Sequence, residues 1–368
     1  MIHINNFKSL SLFEYIIFIH SVQLSAGIIT MPRLLANTAG TDGWISIILG
    51  WIMTSIIGVL IIKLLQKNSE KQFPQILTGY FGKWFGTIFI SFYSLFLLCA
   101  GLNTLLKATQ IVQVWIFPSK PSYQIVILML IPFFILISNG IRAITNYSIL
   151  VFFFTAWMPI IFLFSLKSSY NPLQLFPIIK DGIYPIIKAT KDTITPYAGL
   201  ELAYFIYPFL HNKEKAVKGI LIANSGTMVL YLYTTILSYV YFSPEGIKKI
   251  AWPVFNLLKG INFSFIERFE IIYIIYYLVV FSTTIYSYFF FSIYLSSALF
   301  NKLLHNWIHI SFAFLILGLF ILFNPDASQI LFIYNLMDVL NIIFLILIPS
   351  FFFAYSIFFT WLSRRRNL

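Results

Sequence analysis

The chain has 368 residues, 60% of them hydrophobic and only 10% charged, with a mean hydropathy of +0.88. So little polar surface excludes a water-soluble domain of this size and indicates an integral membrane protein. The formal charge of +12 does not point to nucleic acid, because the basic residues gather at segment ends and in loops, where they serve topology and headgroup contacts.

Apolar windows long enough to cross a bilayer, about 20 residues each, recur along the chain. They predict about ten spans: 12–35, 43–65, 84–107, 123–139, 144–165, 191–210, 217–242, 269–300, 307–323 and 331–360. The first is too long for the apolar core of a signal peptide and reads as a membrane helix. The whole chain reads as one transmembrane domain, with a basic tail over 361–368.

Lys63, Lys67, Lys71, Lys83, Arg142, Lys213, Lys215, Lys218, Lys302 and Arg364 to Arg366 fall on the side of the termini, against Arg33, Lys107 and Lys120 in the opposite short connections. The positive-inside rule therefore puts both termini in the cytoplasm, with long outer loops over 166–190 and 243–268. The stretch 66–86 mixes charges with Phe73, Ile76, Leu77 and Tyr80, and fits either an amphipathic inner-face helix or an ordinary loop.

Two spans carry helix breakers near their middles. Span one contains Ser25, Ala26 and Gly27, followed by Ile28 and, further on, Pro32; span six contains Pro196, Tyr197, Ala198 and Gly199, followed by Glu201. Unsatisfied backbone groups are not tolerated against lipid, so unwinding implies that protein, water or ligand satisfies them. Spans one and six hold corresponding places in two sets of five, as in inverted-repeat transporters with discontinuous helices. The pair predicts one midplane cavity, in which amides from Gly27 onward face a carboxylate and carbonyls near Ser25 and Tyr197 accept from an ammonium.

Other intramembrane polar groups have two readings each. Glu201 can accept a proton, pair with a ligand ammonium or bond the unwound backbone. Thr283 and Thr284, within a hydroxyl cluster of Ser282 to Ser287, suit an ion site beside the first break or simple helix-to-helix bonds. Asn335, Asp338 and Asn341 form one polar stripe that faces either the cavity or the interface. Glu14, His20, Asn103 and Lys107 are similarly open. The single cysteine, Cys99, offers no disulfide or Cys-rich metal site, and no phosphate-binding, metal or nucleophile signature occurs, so neither cofactor nor enzyme is expected.

The stretches "MPRLLANTAGTDGWIS" (31–46), "GYFGKWFG" (79–86), "GLELAYFIYPFL" (199–210) and "WPVFNLLKGINFSFIERFEIIYI" (252–274) are distinctive. In these the chain resembles the endospore germination permeases, the B-type membrane subunits of germinant receptors, within the amino acid/polyamine/organocation superfamily. The resemblance implies a ten-helix LeuT-type fold, a five-plus-five inverted repeat divided as 1–165 and 166–360. It also implies nutrient sensing in the spore inner membrane, alongside an A-type membrane subunit and a C-type lipoprotein subunit. The chain departs from the family at Gly140-Ile141-Arg142 and Asn146, where such proteins often read Gly-Ile-Glu with an Arg four residues on.

These features leave three readings: a receptor subunit that binds a small nutrient such as an amino acid, a proton- or sodium-coupled amino acid transporter, and a scaffold with a vestigial site. Fold alone does not choose among them.

Overall fold

A computed structural model describes residues 9–261, 266–299, 306–323 and 325–366. Lys302 and positions 262–265 of the fourth quoted stretch lie outside the described residues, as do positions 367 and 368 of the basic tail; the arginine side chains at 364–366 are likewise not described.

The elements run as α1 (Leu12–Gln23), α2 (Ala26–Ala39), α3 (Gly43–Gln66), α4 (Phe73–Trp115), α5 (Ser122–Ser138), α6 (Gly140–Thr155) and α7 (Met158–Ser165), then α8 (Ile183–Thr190), the short α9 (Ala203–Ile206), α10 (Ala216–Tyr241), α11 (Pro244–Lys248) and α12 (Pro253–Leu258), and finally α13 (Phe269–Leu299), α14 (Asn306–Leu322), α15 (Ala327–Ile342) and α16 (Ile348–Arg366). Leu10 and Leu210 form an isolated parallel β-bridge.

Among the described residues six stretches are long and apolar enough to cross a membrane, and Leu12–Gln23, Ser122–Ser138 and Ser311–Leu322 are shorter apolar helices. Sidedness supports the same conclusion. On α5, Leu128, Ile131 and Ile135 are exposed at helical spacing while Val126, Leu130, Phe133 and Ile137 are buried. The buried set includes Glu201, Asn224, Thr227 and Thr283. An apolar exterior around a partly polar interior is the arrangement a bilayer favours.

Several boundaries differ from the hydropathy reading. The apolar stretch Ala26–Gln66 has 41 residues, but Gly40, at φ +59°, turns the chain between α2 and α3, and the two helices pack on each other. The segment before span three is helical from Phe73, with Phe73, Ile76 and Leu77 buried, and runs into the span across a kink at Gly82, φ +75°. Ahead of 191 the chain is already helical: α8 runs from Ile183 to Thr190 and passes into a 3-10 turn over Lys191–Thr193, where Lys188, Lys191 and Asp192 depress local hydropathy.

The motif aspartate Asp42 has a structural use. Its buried carboxylate accepts from the backbone amides of Ile179 (2.9 Å) and Lys180 (3.2 Å), pinning the 166–182 connection to the turn between α2 and α3. At the opposite end of the bundle, Arg142 at the start of α6 pairs with Glu14 on α1, Nη2 to Oε1 at 2.7 Å. Glu14 also completes a capping box with Ser11. Arg142 therefore supplies a charge partner to the first span.

Candidate functional site

Both breaks are present. In the first span α1 ends at Gln23, Leu24 and Ser25 leave the helix, and α2 restarts at Ala26, one residue earlier than the amide count from Gly27 assumes. The last carbonyls of α1 lose their helical partners, and side chains replace them. Thr283 donates to Ser21 O (3.0 Å), Thr284 to Val22 O (2.8 Å) and Tyr277 to Ser25 O (2.7 Å). Among the described residues no side chain caps the start of α2.

In the sixth span a short turn at Thr195–Tyr197 gives way to extended Ala198 and then Gly199, at φ +111°. A conformation in that region suits glycine, which has no Cβ to clash. The Gly199 amide donates to Glu201 Oε2 at 2.8 Å, and Tyr288 donates to Glu201 Oε1 at 2.9 Å. Glu201 is fully buried, so its carboxyl group acts as a local cap over the unwound turn.

The breaks touch. A Cβ on Gly27 would sit 2.8 Å from Pro196 Cβ, and one on Gly199 would sit 2.9 Å from Val22 Cγ1. Each glycine thus admits the other span.

A cavity of about 420 Å³ opens beside this contact. Of the predicted ligand and coupling residues, Ser25, Ala26, Gly27, Pro196, Ala198, Thr284 and Asp338 line it; Ile28, Tyr197, Gly199, Glu201 and Thr283 do not. Glu201 reaches it only through Tyr288, whose side chain is part of the wall. Thr195 donates to Asp338 Oδ1 at 2.7 Å and accepts from Asn341 at 3.2 Å, so the polar stripe of α15 joins the sixth span at the cavity.

Four charged side chains line the space: Arg33, Lys107, Asp192 and Asp338. Among the described residues none of them joins an ion pair within 4.0 Å. Arg33 Nε donates to Lys248 O at 3.1 Å, and the Lys107 ammonium lies 4.6 Å from the Tyr334 ring centre. Asn103, also in the wall, has a buried carbonyl oxygen with no partner. The lining thus offers an uncapped helix start, two cations and two carboxylates around one space, which is the inventory needed to hold both poles of a zwitterion.

The same inventory sits in a chain whose sequence matches the spore germination protein profile over residues 9–328. The chain belongs to the spore germination protein family. It is 29% identical over 266 residues to spore germination protein GerQB of Bacillus cereus, covering 70% of this chain and 72% of that protein. It is 28% identical to spore germination protein YndE of Bacillus subtilis over 260 residues, 69% and 71% of the two chains. Spore germination protein A2 of Bacillus subtilis is 28% identical over 296 residues, 76% and 78% of the two chains. This is a membrane protein of the spore germination class.

Several site residues escape a reading of the sequence. Gln23 carries a signal, an amide inside an apolar span two residues before a break. Tyr231, Tyr277 and Tyr288 carry none in a chain with 22 tyrosines.

Proposed function

We propose that this chain is the B-type membrane subunit of a germinant receptor and that it binds a small nutrient, an amino acid, at the breaks of spans one and six. The observation that carries the reading is the cavity between the breaks, with an uncapped helix start at one end and unpaired charges of both signs in its wall. Its volume of about 420 Å³ falls within the range of small-molecule pockets. The ligand carboxylate lies at the first amides of α2, favoured by the helix dipole. Its ammonium lies toward Asp338, whose carboxylate is held from behind by the Thr195 hydroxyl, which in turn accepts from Asn341.

In the proposed architecture ten helices form a five-plus-five inverted repeat, 1–165 and 166–360, with both termini cytoplasmic in the spore inner membrane. Three features support it: the paired breaks, the run of ten spans (α1 with α2, α3, α4, α5, α6 with α7, the broken sixth, α10, α13, α14, and α15 with α16), and the lysine distribution. Binding shifts a conformational equilibrium read by an A-type membrane subunit and a C-type lipoprotein. The chain itself performs no catalysis.

The test is binding of each of the twenty protein amino acids to the purified chain in proteoliposomes, followed by uptake of any that bind, with and without a proton or sodium gradient. The expected result is saturable binding of one or a few amino acids without accumulation. Sustained uptake by the chain alone replaces the receptor reading with a coupled transporter. Absence of binding across the set removes the site.

A further inference from the structure

A buried polar network surrounds the breaks without lining the cavity, and Gln23 is its centre. This side chain is 1% exposed and is absent from the cavity wall. Its Nε2 donates to Tyr197 O at 3.1 Å and to Asn224 Oδ1 at 3.0 Å, and its Oε1 accepts from the Thr227 hydroxyl at 2.7 Å. Both amide protons and the carbonyl are used. Asn224 donates onward to Thr54 Oγ1 (3.0 Å) and Ser55 Oγ (2.8 Å) on α3. Thr227 Oγ1 lies 2.9 Å from His20 Nδ1. The last residue of α1 therefore holds a carbonyl of the second break and, through α10, reaches α3.

Tyr231 makes a second tie. Its hydroxyl lies 2.7 Å from Gln23 O, in the first break, and 2.7 Å from Pro196 O, in the second. A phenol has one proton, so the two breaks share a single donor. The same hydroxyl would lie 3.1 Å from a Cβ on Gly27, which places it at the point of closest approach.

A glutamine in an apolar span commonly bonds one neighbouring helix. This one engages the sixth span and two side chains of α10, and a fully satisfied buried network of this kind specifies one arrangement. We infer that Gln23 is a positioning residue whose carboxamide holds the two breaks as one frame, so that the two walls of the cavity do not move independently. The inference rests on the reading of that cavity as the ligand site. A nutrient bound across the breaks then meets a preset separation between the amides of α2 and the wall at Ala198.

The test uses the full chain carrying Cys99→Ala and Ala198→Cys in proteoliposomes, and reads the rate at which the single introduced thiol reacts with 2-aminoethyl methanethiosulfonate. Gln23→Leu, which keeps bulk and removes the amide, is expected to raise the rate about fivefold by freeing Tyr197 O and the adjoining turn. Thr227→Val, which removes the hydroxyl shared by Gln23 and His20 at a point remote from the cavity, is expected to raise it about twofold. Adding Tyr231→Phe to Gln23→Leu is expected to give less than the product of the single effects, because both ties act on one frame. Unchanged rates in Gln23→Leu and Thr227→Val overturn the inference, whatever happens to the melting temperature. If Gln23→Leu does not fold, the Thr227→Val rate decides alone. No nutrient enters this assay, so a failed amino acid binding experiment strikes the ligand reading and leaves this result intact.

Discussion

Gly27 and Pro196 meet across the two breaks so closely that a methyl group on Gly27 would stand 2.8 Å from Pro196 Cβ and 3.0 Å from its Cα. Backbone lies on the far side of that contact, so relief requires the breaks to separate. Gly27→Ala is expected to cost about 1–3 kcal/mol of stability from overpacking and to weaken nutrient binding about tenfold or more as the cavity walls are displaced. Gly27→Val abolishes the response. A normal dose–response in Gly27→Val would remove this contact from the site.

Gly199 differs in kind, because its φ of +111° is unfavourable for any side chain regardless of space. Gly199→Ala is expected to lose about 1–3 kcal/mol through backbone strain, added to the clash with Val22. Gly79→Ala is the matched control: nothing lies within 4 Å of its added Cβ and its φ is unremarkable, so it gains about 0.5–1 kcal/mol of helix stability. Thermal unfolding of the three purified proteins separates the cases, and equal transitions for Gly199→Ala and Gly79→Ala would contradict the geometry.

Glu201 accepts from an amide and a phenol, one on each oxygen. In Glu201→Gln the amide group must face one of those donors, leaving a buried clash worth about 1–3 kcal/mol. Tyr288→Phe removes a donor and costs less. Folding of Glu201→Gln at wild-type stability, with loss of nutrient response only, would show that the carboxyl group works through its proton and not through the turn it caps.

Asp338→Asn keeps an acceptor for Thr195 and removes the charge. It is expected to leave the melting temperature within a few degrees of wild type and to weaken amino acid binding about tenfold, the magnitude of one partly desolvated charge contact. Titration by calorimetry checks the affinity, and thermal unfolding checks the stability. Unaltered affinity would move the ammonium away from α15.

The Glu14–Arg142 pair, at 2.7 Å with side chains 15% and 34% exposed, is neither fully buried nor freely solvated. A double-mutant cycle with Glu14→Gln and Arg142→Gln is expected to give a coupling of about 0.5–1 kcal/mol, falling as salt is raised. Exchange of the two charges, Glu14→Arg with Arg142→Glu, recovers part of it.

The paired breaks are legible in the sequence because Gly, Pro and small residues in an apolar span are costly for a helix and need a use. The cavity's location follows from them. Which residues line it does not follow: Ile28, Tyr197 and Thr283 lie within one residue of lining positions, yet each turns elsewhere, since helical facing is fixed by packing and not by spacing from a break. Thr283 and Thr284 illustrate this. Both donate to carbonyls of α1, but only Thr284 reaches the cavity. Gln23, Tyr231 and Asn224 are hidden for a related reason, as a network across α1, α10 and the sixth span has no local pattern to read.

The small bridge at the foot of the bundle has a consequence for how such chains diverge. Leu10 N donates to Phe209 O at 2.8 Å and His211 N donates to Leu10 O at 2.9 Å, joining the approach to span one with the exit from span six. Both bonds are main chain to main chain, so nearly any residue except proline at positions 10 and 211 preserves them. A seam of that type withstands drift in side chains, so relatives that share under a third of their residues with this chain can retain it while the side chains around it are rewritten.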